Sequence, residues 1–219
     1  MLEKYRSEYD GEFVLTRTTI RDGKKEQTRE WIDNPILNQH ISGRAAIIGS
    51  SLDSTLFDYK ILQRHQGGLM GSKRLQTYGS GQIWKDMRLD FYVSTKAPEI
   101  IEAYNANYGE TTVLYTNTRN VLNDPSKYYI VPFQPVIDDL ALAAYLAAFD
   151  GHNEIFLIGY NKDTPGDNNW VGDVRRVMSD FKNVTFYLVG VEVNMPNVWR
   201  NMPNVKCMNY RKFITYCDI

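Results

Sequence analysis

Arg44-Ala45-Ala46-Ile47-Ile48-Gly49-Ser50-Ser51-Leu52-Asp53-Ser54-Thr55-Leu56-Phe57-Asp58 is the stretch whose reading decides the fold. Ala45 to Ile48 is a short apolar run that needs cover on both faces, which suits an inner strand of a parallel sheet. Gly49 ends the run. Ser50, Ser51, Asp53 and Ser54 are small polar residues suited to a tight turn into a helix, with Leu52, Leu56 and Phe57 left to pack beneath. A strand, a glycine turn and a helix N-terminus present backbone N–H groups and a positive dipole end, a frame that holds a phosphate or a nucleotide. An ordinary strand-to-helix connection without a ligand has the same pattern. The turn is neither GxGxxG nor a Walker loop, so it names no cofactor.

Outward from this turn, strands and helices alternate. Upstream, Glu12 to Ile20 and Gln27 to Ile32 flank the turn signal Arg-Asp-Gly-Lys-Lys and predict a β-hairpin, read as an edge addition to the main sheet or an arm that touches a partner. Downstream, Thr55 to Arg64 predicts a short helix, and Gly67 to Ser72 a short strand running into a glycine loop. Arg88 to Ser94 predicts a strand, Glu99 to Tyr108 a helix entered through Pro98, and Thr111 to Thr116 another strand before a polar loop at Asn117 to Lys127. Val136 to Phe149 is apolar nearly all round and predicts a buried helix with Asp138 and Asp139 in its first turn. Glu154 to Tyr160 repeats the pattern of a buried strand ending in glycine. Trp170 to Phe181 has helical spacing, Val184 to Val189 reads as a strand, and two copies of Met-Pro-Asn-Val form turns before a last strand at Val205 to Met208. The sum is a three-layer, Rossmann-like α/β sheet, mostly parallel, with residues 1–42 as an N-terminal hairpin extension and 43–219 as a single nucleotide-binding domain.

Bulk properties narrow the function. At 219 residues one core is the better expectation, and 43% hydrophobic with 23% charged residues is ordinary for a globular chain. Twenty-five basic against 26 acidic residues leave a formal charge of −1, so no global field draws the chain to nucleic acid or membrane. The N-terminus lacks the apolar core of a signal peptide, no window is long enough to span a bilayer, and the expected location is cytoplasmic. Cys207 and Cys217 lack metal-type or CxxC spacing and read as thiols in a reducing compartment, with a disulfide between them as the alternative. His40, His65 and His152 have no zinc-ligand spacing and read as surface or hydrogen-bonded structural histidines.

In an open parallel sheet, ligands bind beyond the carboxyl ends of the strands. Residues at those expected ends are Gly49, Ser50, Ser51, Leu52 and Asp53; Gly71, Ser72 and Lys73; Thr95 and Lys96; Asn117 and Arg119; and Gly159, Tyr160, Asn161, Lys162 and Asp163. They are polar, include cations, and can contact a sugar, a base and a diphosphate. A general base has to reach an acceptor hydroxyl, and Asp163, then Asp167, occupy the loop best placed to supply it.

The order Ala-Ala-Ile-Ile-Gly-Ser-Ser-Leu-Asp, a glycine-containing strand end, Leu-Asp-Phe-Tyr-Val, the apolar helix and Glu-Ile-Phe-Leu-Ile-Gly-Tyr-Asn-Lys-Asp resembles the small bacterial sialyltransferases and the related motility accessory factor family over residues 43–165. The resemblance implies that Ser50, Ser51 and Leu52 hold a donor nucleotide and that Gly159, Tyr160 and Asn161 form the later strand end. The family turn Gly-x-Gly-Pro-Ser-Leu is the shorter Gly-Ser-Ser-Leu here, the aspartate after Gly159 is displaced to Asp163, and no histidine follows His152. The chain is also similar in its compactness to phage-encoded transferases that add sugars to hydroxymethylated DNA bases, for which Lys24, Lys25, Arg29, Lys73, Arg74, Lys85, Arg88, Arg175 and Arg176 would supply phosphate contacts.

The expected function is a glycosyltransferase that moves a sugar from a nucleotide-sugar to an acceptor hydroxyl on a glycan or a modified DNA base. Lys96, Arg119 or Lys162 would neutralise the leaving phosphate, with no cofactor required. Two alternatives stand beside it. A Mg²⁺-dependent pyrophosphokinase would need carboxylates such as Asp53, Asp138 and Asp139 to converge. A non-catalytic nucleotide or nucleic-acid binding module would need none.

Overall fold

The computed structural model describes residues 12–33, 43–49, 57–65, 74–124, 126–132, 136, 138–160 and 169–219. Two sheets are present among them. The first is the hairpin of β1 (Glu12–Arg21) and β2 (Lys24–Asp33), antiparallel and paired from Glu12–Asp33 to Arg21–Lys24. Asp22 and Gly23 form its two-residue turn with φ of 50° and 74°, the left-handed backbone that a tight hairpin demands and that Asp-Gly tolerates. The expectation of an edge addition is not met: β1 and β2 are hydrogen-bonded to each other as a sheet of their own.

The second sheet has eight strands, all parallel to their neighbours: β3 (Arg44–Ile48), β4 (Gln76–Ser80), β5 (Phe91–Val93), β6 (Val113–Thr116), β7 (Tyr129–Ile130), β8 (Glu154–Ile158), β9 (Thr185–Val189) and β10 (Val205–Met208). Their order is β10-β9-β8-β3-β4-β5-β6-β7. From β3 the chain therefore builds outward through β7 on one side, returns across the sheet, and builds outward through β10 on the other.

Helices cover both faces. α3 (Asp139–Phe149) and α4 (Asn169–Asp180) bury one face, together with Tyr78, Phe91, Ile155 and Phe186. α1 (Ala97–Asn105), α2 (Thr118–Asn123) and α5 (Tyr210–Cys217) contribute Ile100, Val121 and Phe213 to the other. All ten residues of α3 from Leu140 to Phe149 are buried, as its unbroken apolar sequence requires. α3 packs on β3, β4, β5 and β8 and so carries the return crossover over the centre of the sheet.

Several boundaries moved for identifiable reasons. Asp138 accepts the N–H groups of Leu140 and Ala141, so it caps α3 and starts the helix three residues later than the apolar run does. Asn117 caps α2 by accepting from the Asn120 N–H, which puts a helix in the segment read as a polar loop. The described part of the helix expected at Thr55 to Arg64 is a 3₁₀ helix, Tyr59–His65. The strand expected at Gly67 to Ser72 falls outside the described residues, and the second strand of the sheet is Gln76–Ser80. α5 follows β10 and was not read from sequence.

Candidate functional site

The reversal of strand order falls between β3 and β8, whose following connections leave in opposite directions. Such a switch point opens a crevice at the carboxyl ends of the two strands. Gly49 and Gly159 stand side by side there. The Gly49 N–H donates to the Ile158 carbonyl at 2.7 Å, and a Cβ on Gly49 would lie 2.8 Å from the Gly159 carbonyl oxygen and 3.0 Å from Cδ2 of Tyr160. Gly159 itself has φ of 76°. Both glycines are thus demanded by backbone geometry: the first by close approach, the second by a left-handed turn.

The neighbouring strand ends extend the crevice. Gly79 is level with Ile48 and Ser80 with Val93, so Ser80 ends β4 beside Gly49 on one side and Val93, the residue before Ser94, on the other. Tyr78 packs on the α3 side of the sheet, and Ser80, two residues on, shares that face by strand alternation. Its hydroxyl is buried, with 1% of the residue exposed, and has no hydrogen-bond partner among the described residues. A buried hydroxyl without a partner carries a desolvation cost that a bound polar group would remove.

At the end of β5, Asp139 ties the sheet to the first turn of α3. Its Oδ1 accepts from the Thr95 N–H at 3.0 Å and the Thr95 hydroxyl at 2.7 Å, and its Oδ2 accepts from Ser94 Oγ at 3.2 Å. Burial pushes the Asp139 carboxyl up, against the opposing pull of the Thr95 donors. Burial likewise raises Asp138, whose helix-capping bonds pull the other way. The Asp138 N–H donates to Asp173 of α4 at 3.1 Å, which joins the two helices on this face. Lys96 is exposed and paired through Nζ with Glu99 Oε1 at 3.1 Å, and that bond leads the causes that raise its pKa, with the charges of Asp139 and Asp138 adding to it.

The expected site residues divide clearly. Gly49, Thr95, Lys96 and Gly159 do stand at the carboxyl ends of β3, β5 and β8. Tyr160 follows β8 but its side chain is turned inward: the hydroxyl donates to the Leu140 carbonyl at 2.6 Å and the ring meets Trp170 edge-on. Burial drives its phenol well above the ordinary range, and its proton is committed to the Leu140 carbonyl. Arg119 is exposed in the first turn of α2, beyond β6 and away from the switch point. Ser50, Ser51, Leu52 and Asp53, Gly71 and Ser72, and Asn161, Lys162, Asp163 and Asp167 lie outside the described residues. Because β4 is Gln76–Ser80, its carboxyl end carries Ser80 and Gly81 in place of the Gly71 and Ser72 expected there. Ser80 was missed because its strand holds more polar than apolar residues. The available signal was the Tyr-Gly-Ser-Gly phrase at 78–81, a small-residue strand end like that at Gly49.

The basic residues read as a phosphate-contacting surface are dispersed. Arg74 precedes β4 and pairs with Asp218 at 3.1 Å, Lys85 follows β4 and pairs with Glu102 at 2.9 Å, and Arg88 precedes β5 and donates to the Thr111 carbonyl. Arg175 and Arg176 are exposed on α4, and Lys24 and Lys25 are exposed on the hairpin. Arg74 and Arg88 thus stand at the amino end of the sheet and Lys85 at its carboxyl end. Asp138 and Asp139 use their oxygens within the fold, and no group of three or more His, Cys, Asp or Glu side chains among the described residues is arranged to hold a metal ion. No helix among them is long and apolar enough to cross a membrane.

No protein-family model and no curated protein matches the sequence. Among solved structures, the chain is similar to the sialyltransferase CstII from Campylobacter jejuni, determined in complex with a substrate analogue, cytidine-5'-monophosphate. The identity is 13% and the TM-score 0.40, over 70% of this chain and 80% of that one. A likeness of that size carries no inference about activity.

Proposed function

We propose that the chain is a glycosyltransferase that binds a nucleotide-sugar in the crevice between β3 and β8 and transfers the sugar to an acceptor hydroxyl. The observation that carries this reading is the glycine pair at the switch point. Adjacent parallel strands whose connections leave in opposite directions end at this pair, and such a junction is where an open parallel sheet takes its ligand. The buried, unpartnered hydroxyl of Ser80 supports it, since a nucleotide offers ribose hydroxyls and phosphate oxygens as partners.

In this reading the donor lies over Gly49 to Asp53, Ser80, Thr95 and Gly159, with Ser50, Ser51 and Leu52 against the phosphate and Asn161 beside the sugar. Lys96, at the carboxyl end of β5, would neutralise the leaving phosphate, and Lys162 is the second candidate. Asp163 takes the acceptor proton as that oxygen attacks the anomeric carbon and the nucleotide departs with the bonding electron pair; Asp167 is the reserve base. The acceptor hydroxyl belongs to a glycan or to a modified DNA base.

Calorimetric titration with a panel of nucleoside mono- and diphosphate sugars, with and without Mg²⁺, tests the proposal. Binding of at least one nucleotide-sugar without metal supports it. Mg²⁺-dependent binding of nucleoside triphosphates alone would instead indicate a pyrophosphokinase, and absence of any nucleotide-sugar binding sinks the reading.

A further inference from the structure

At the carboxyl end of β5, one hydroxyl faces more acceptors than it has protons. Ser94 is fully buried, and its Oγ lies 3.0 Å from Glu99 Oε2 of α1 and 3.2 Å from Asp139 Oδ2 of α3. The Lys96 N–H donates to the same oxygen at 3.3 Å. A hydroxyl carries one hydrogen and two lone pairs. With one lone pair given to Lys96 and the hydrogen to one carboxyl, the remaining lone pair faces an oxygen of the other. Tyr92, which also meets Ser94, brings no further hydrogen, because its own proton goes to the Gly81 carbonyl at 2.9 Å. Two ionised carboxylates would therefore leave one contact as oxygen against oxygen, at a separation with no room for a water.

Every contact becomes a hydrogen bond if the two carboxyls hold one proton between them. Asp139 then donates to Ser94 and Ser94 to Glu99, or the direction reverses. The surrounding charges choose between the two. At the other oxygen of Glu99, the Lys96 ammonium stands 3.1 Å from Oε1 and matches a negative charge there. The Oδ1 of Asp139 has only neutral donors, the N–H and hydroxyl of Thr95, and burial pushes this carboxyl up. The remaining ionisable groups against Asp139 are Asp138 beside it on α3, itself raised by burial, and Asp173 of α4, which accepts the Asp138 N–H. Both are carboxyls, and neither supplies a cation.

We propose that Asp139 and Glu99 share one proton across the Ser94 hydroxyl, resident on Asp139, and that this bridge fastens α1 and α3 to the end of β5. The strand end then carries one negative charge from the pair in place of two. Loss of the proton to solvent turns one hydrogen bond of the bridge into a repulsion. A carboxyl whose folded pKa is raised stabilises fully below its unfolded value, and that contribution is lost as pH rises through the folded one. The inference concerns the free protein and assumes nothing about its activity.

The test is an NMR titration of the full chain labelled with ¹³C at the aspartate carboxyls. The bridge predicts an Asp139 midpoint above the free-aspartate value of about 3.9. Burial alone would raise it too, and Glu99→Gln separates the two causes. The glutamine amide donates to Ser94, which frees the Ser94 hydrogen for an ionised Asp139, and the like charge is gone, so the Asp139 midpoint falls by about one pH unit. The same comparison on a Lys96→Met background keeps a released ammonium from producing that fall. A wild-type midpoint at or below the free value overturns the proposal, as does a raised midpoint that Glu99→Gln leaves in place on both backgrounds. Should the glutamine variants fail to fold, the shape of the wild-type curve decides: coupled carboxyls give Asp139 two titration steps, and a single step overturns the bridge.

Discussion

Gly49→Ala is the substitution that bears hardest on the geometry of the crevice. Its added methyl would sit 2.8 Å from the Gly159 carbonyl oxygen, 3.0 Å from Cδ2 of Tyr160 and 3.1 Å from the Gly159 carbonyl carbon. Two of these neighbours are backbone, and the third belongs to a ring pinned by a 2.6 Å hydrogen bond to Leu140. No flexible side chain is available to give way. Relief requires β3 and β8 to part at a point where Gly49 is itself bonded to Ile158. Overpacking of this kind costs about 1–3 kcal/mol, which for a chain of this size lowers the thermal midpoint by about 2–4 °C per kcal/mol. The assay is urea and thermal unfolding of Gly49→Ala beside Gly172→Ala. Gly172 sits exposed in α4 with nothing within 4 Å of its would-be Cβ, so alanine there gains about 0.5–1 kcal/mol from helix propensity alone. Opposite signs at the two glycines are expected. A Gly49→Ala protein as stable as wild type would refute the claim that the two strand ends touch.

Other expectations can be checked independently. Tyr160→Phe removes a buried hydroxyl that donates to Leu140 and should cost about 0.5–1.5 kcal/mol in chemical denaturation, while leaving nucleotide affinity unchanged because the ring faces the core. Asn204→Ala should cost more than a typical single bond, since its Nδ2 serves the carbonyls of Met178, Phe181 and Val184 together. Glu154 feels burial raising its pKa, but bonds from Tyr216 and Arg44 outweigh this and hold it below the ordinary value. Its contribution is therefore complete above the unfolded value and fades as pH falls through the lowered one; Glu154→Gln should flatten the acid limb of a stability–pH curve, and an unchanged limb would contradict the assignment. Burial pushes the Cys217 thiol up to about 12, so it should resist alkylation at pH 8 until the chain unfolds.

The frame of the fold was legible where local chemistry and tertiary environment agree. Ala45 to Ile48 and Glu154 to Ile158 are apolar on both faces because both faces are covered, and α3 is apolar all round because it is buried all round. The Asp-Gly turn at 22–23 specifies its hairpin through backbone conformation alone. β4 was illegible because it buries Gln76, Thr77 and Ser80, polar residues that no alternation rule assigns to a core. Thr77 is tolerated there because the Asp90 carboxylate, thirteen residues away, accepts both its N–H and its hydroxyl at 2.9 Å. That partnership is tertiary and leaves no periodic trace. α2 escaped notice for a related reason: six residues are too few to show a period, and only the Asn117 cap marks them. The candidate site was legible as a set of strand ends but not as a particular pair of them, since the adjacency of Gly49 and Gly159 depends on strand order.

The central claim, that a nucleotide-sugar seats at the junction of β3 and β8, is met most directly by mapping amide shifts of the isotopically labelled chain during titration with nucleotide-sugars. The account predicts saturable shifts concentrated at Gly49, Ser80, Thr95 and Gly159, and weakened by Ser80→Val. Shifts confined to the amino ends of the strands, around Asp90 and His152, or no saturable shift with any nucleotide-sugar, would contradict it.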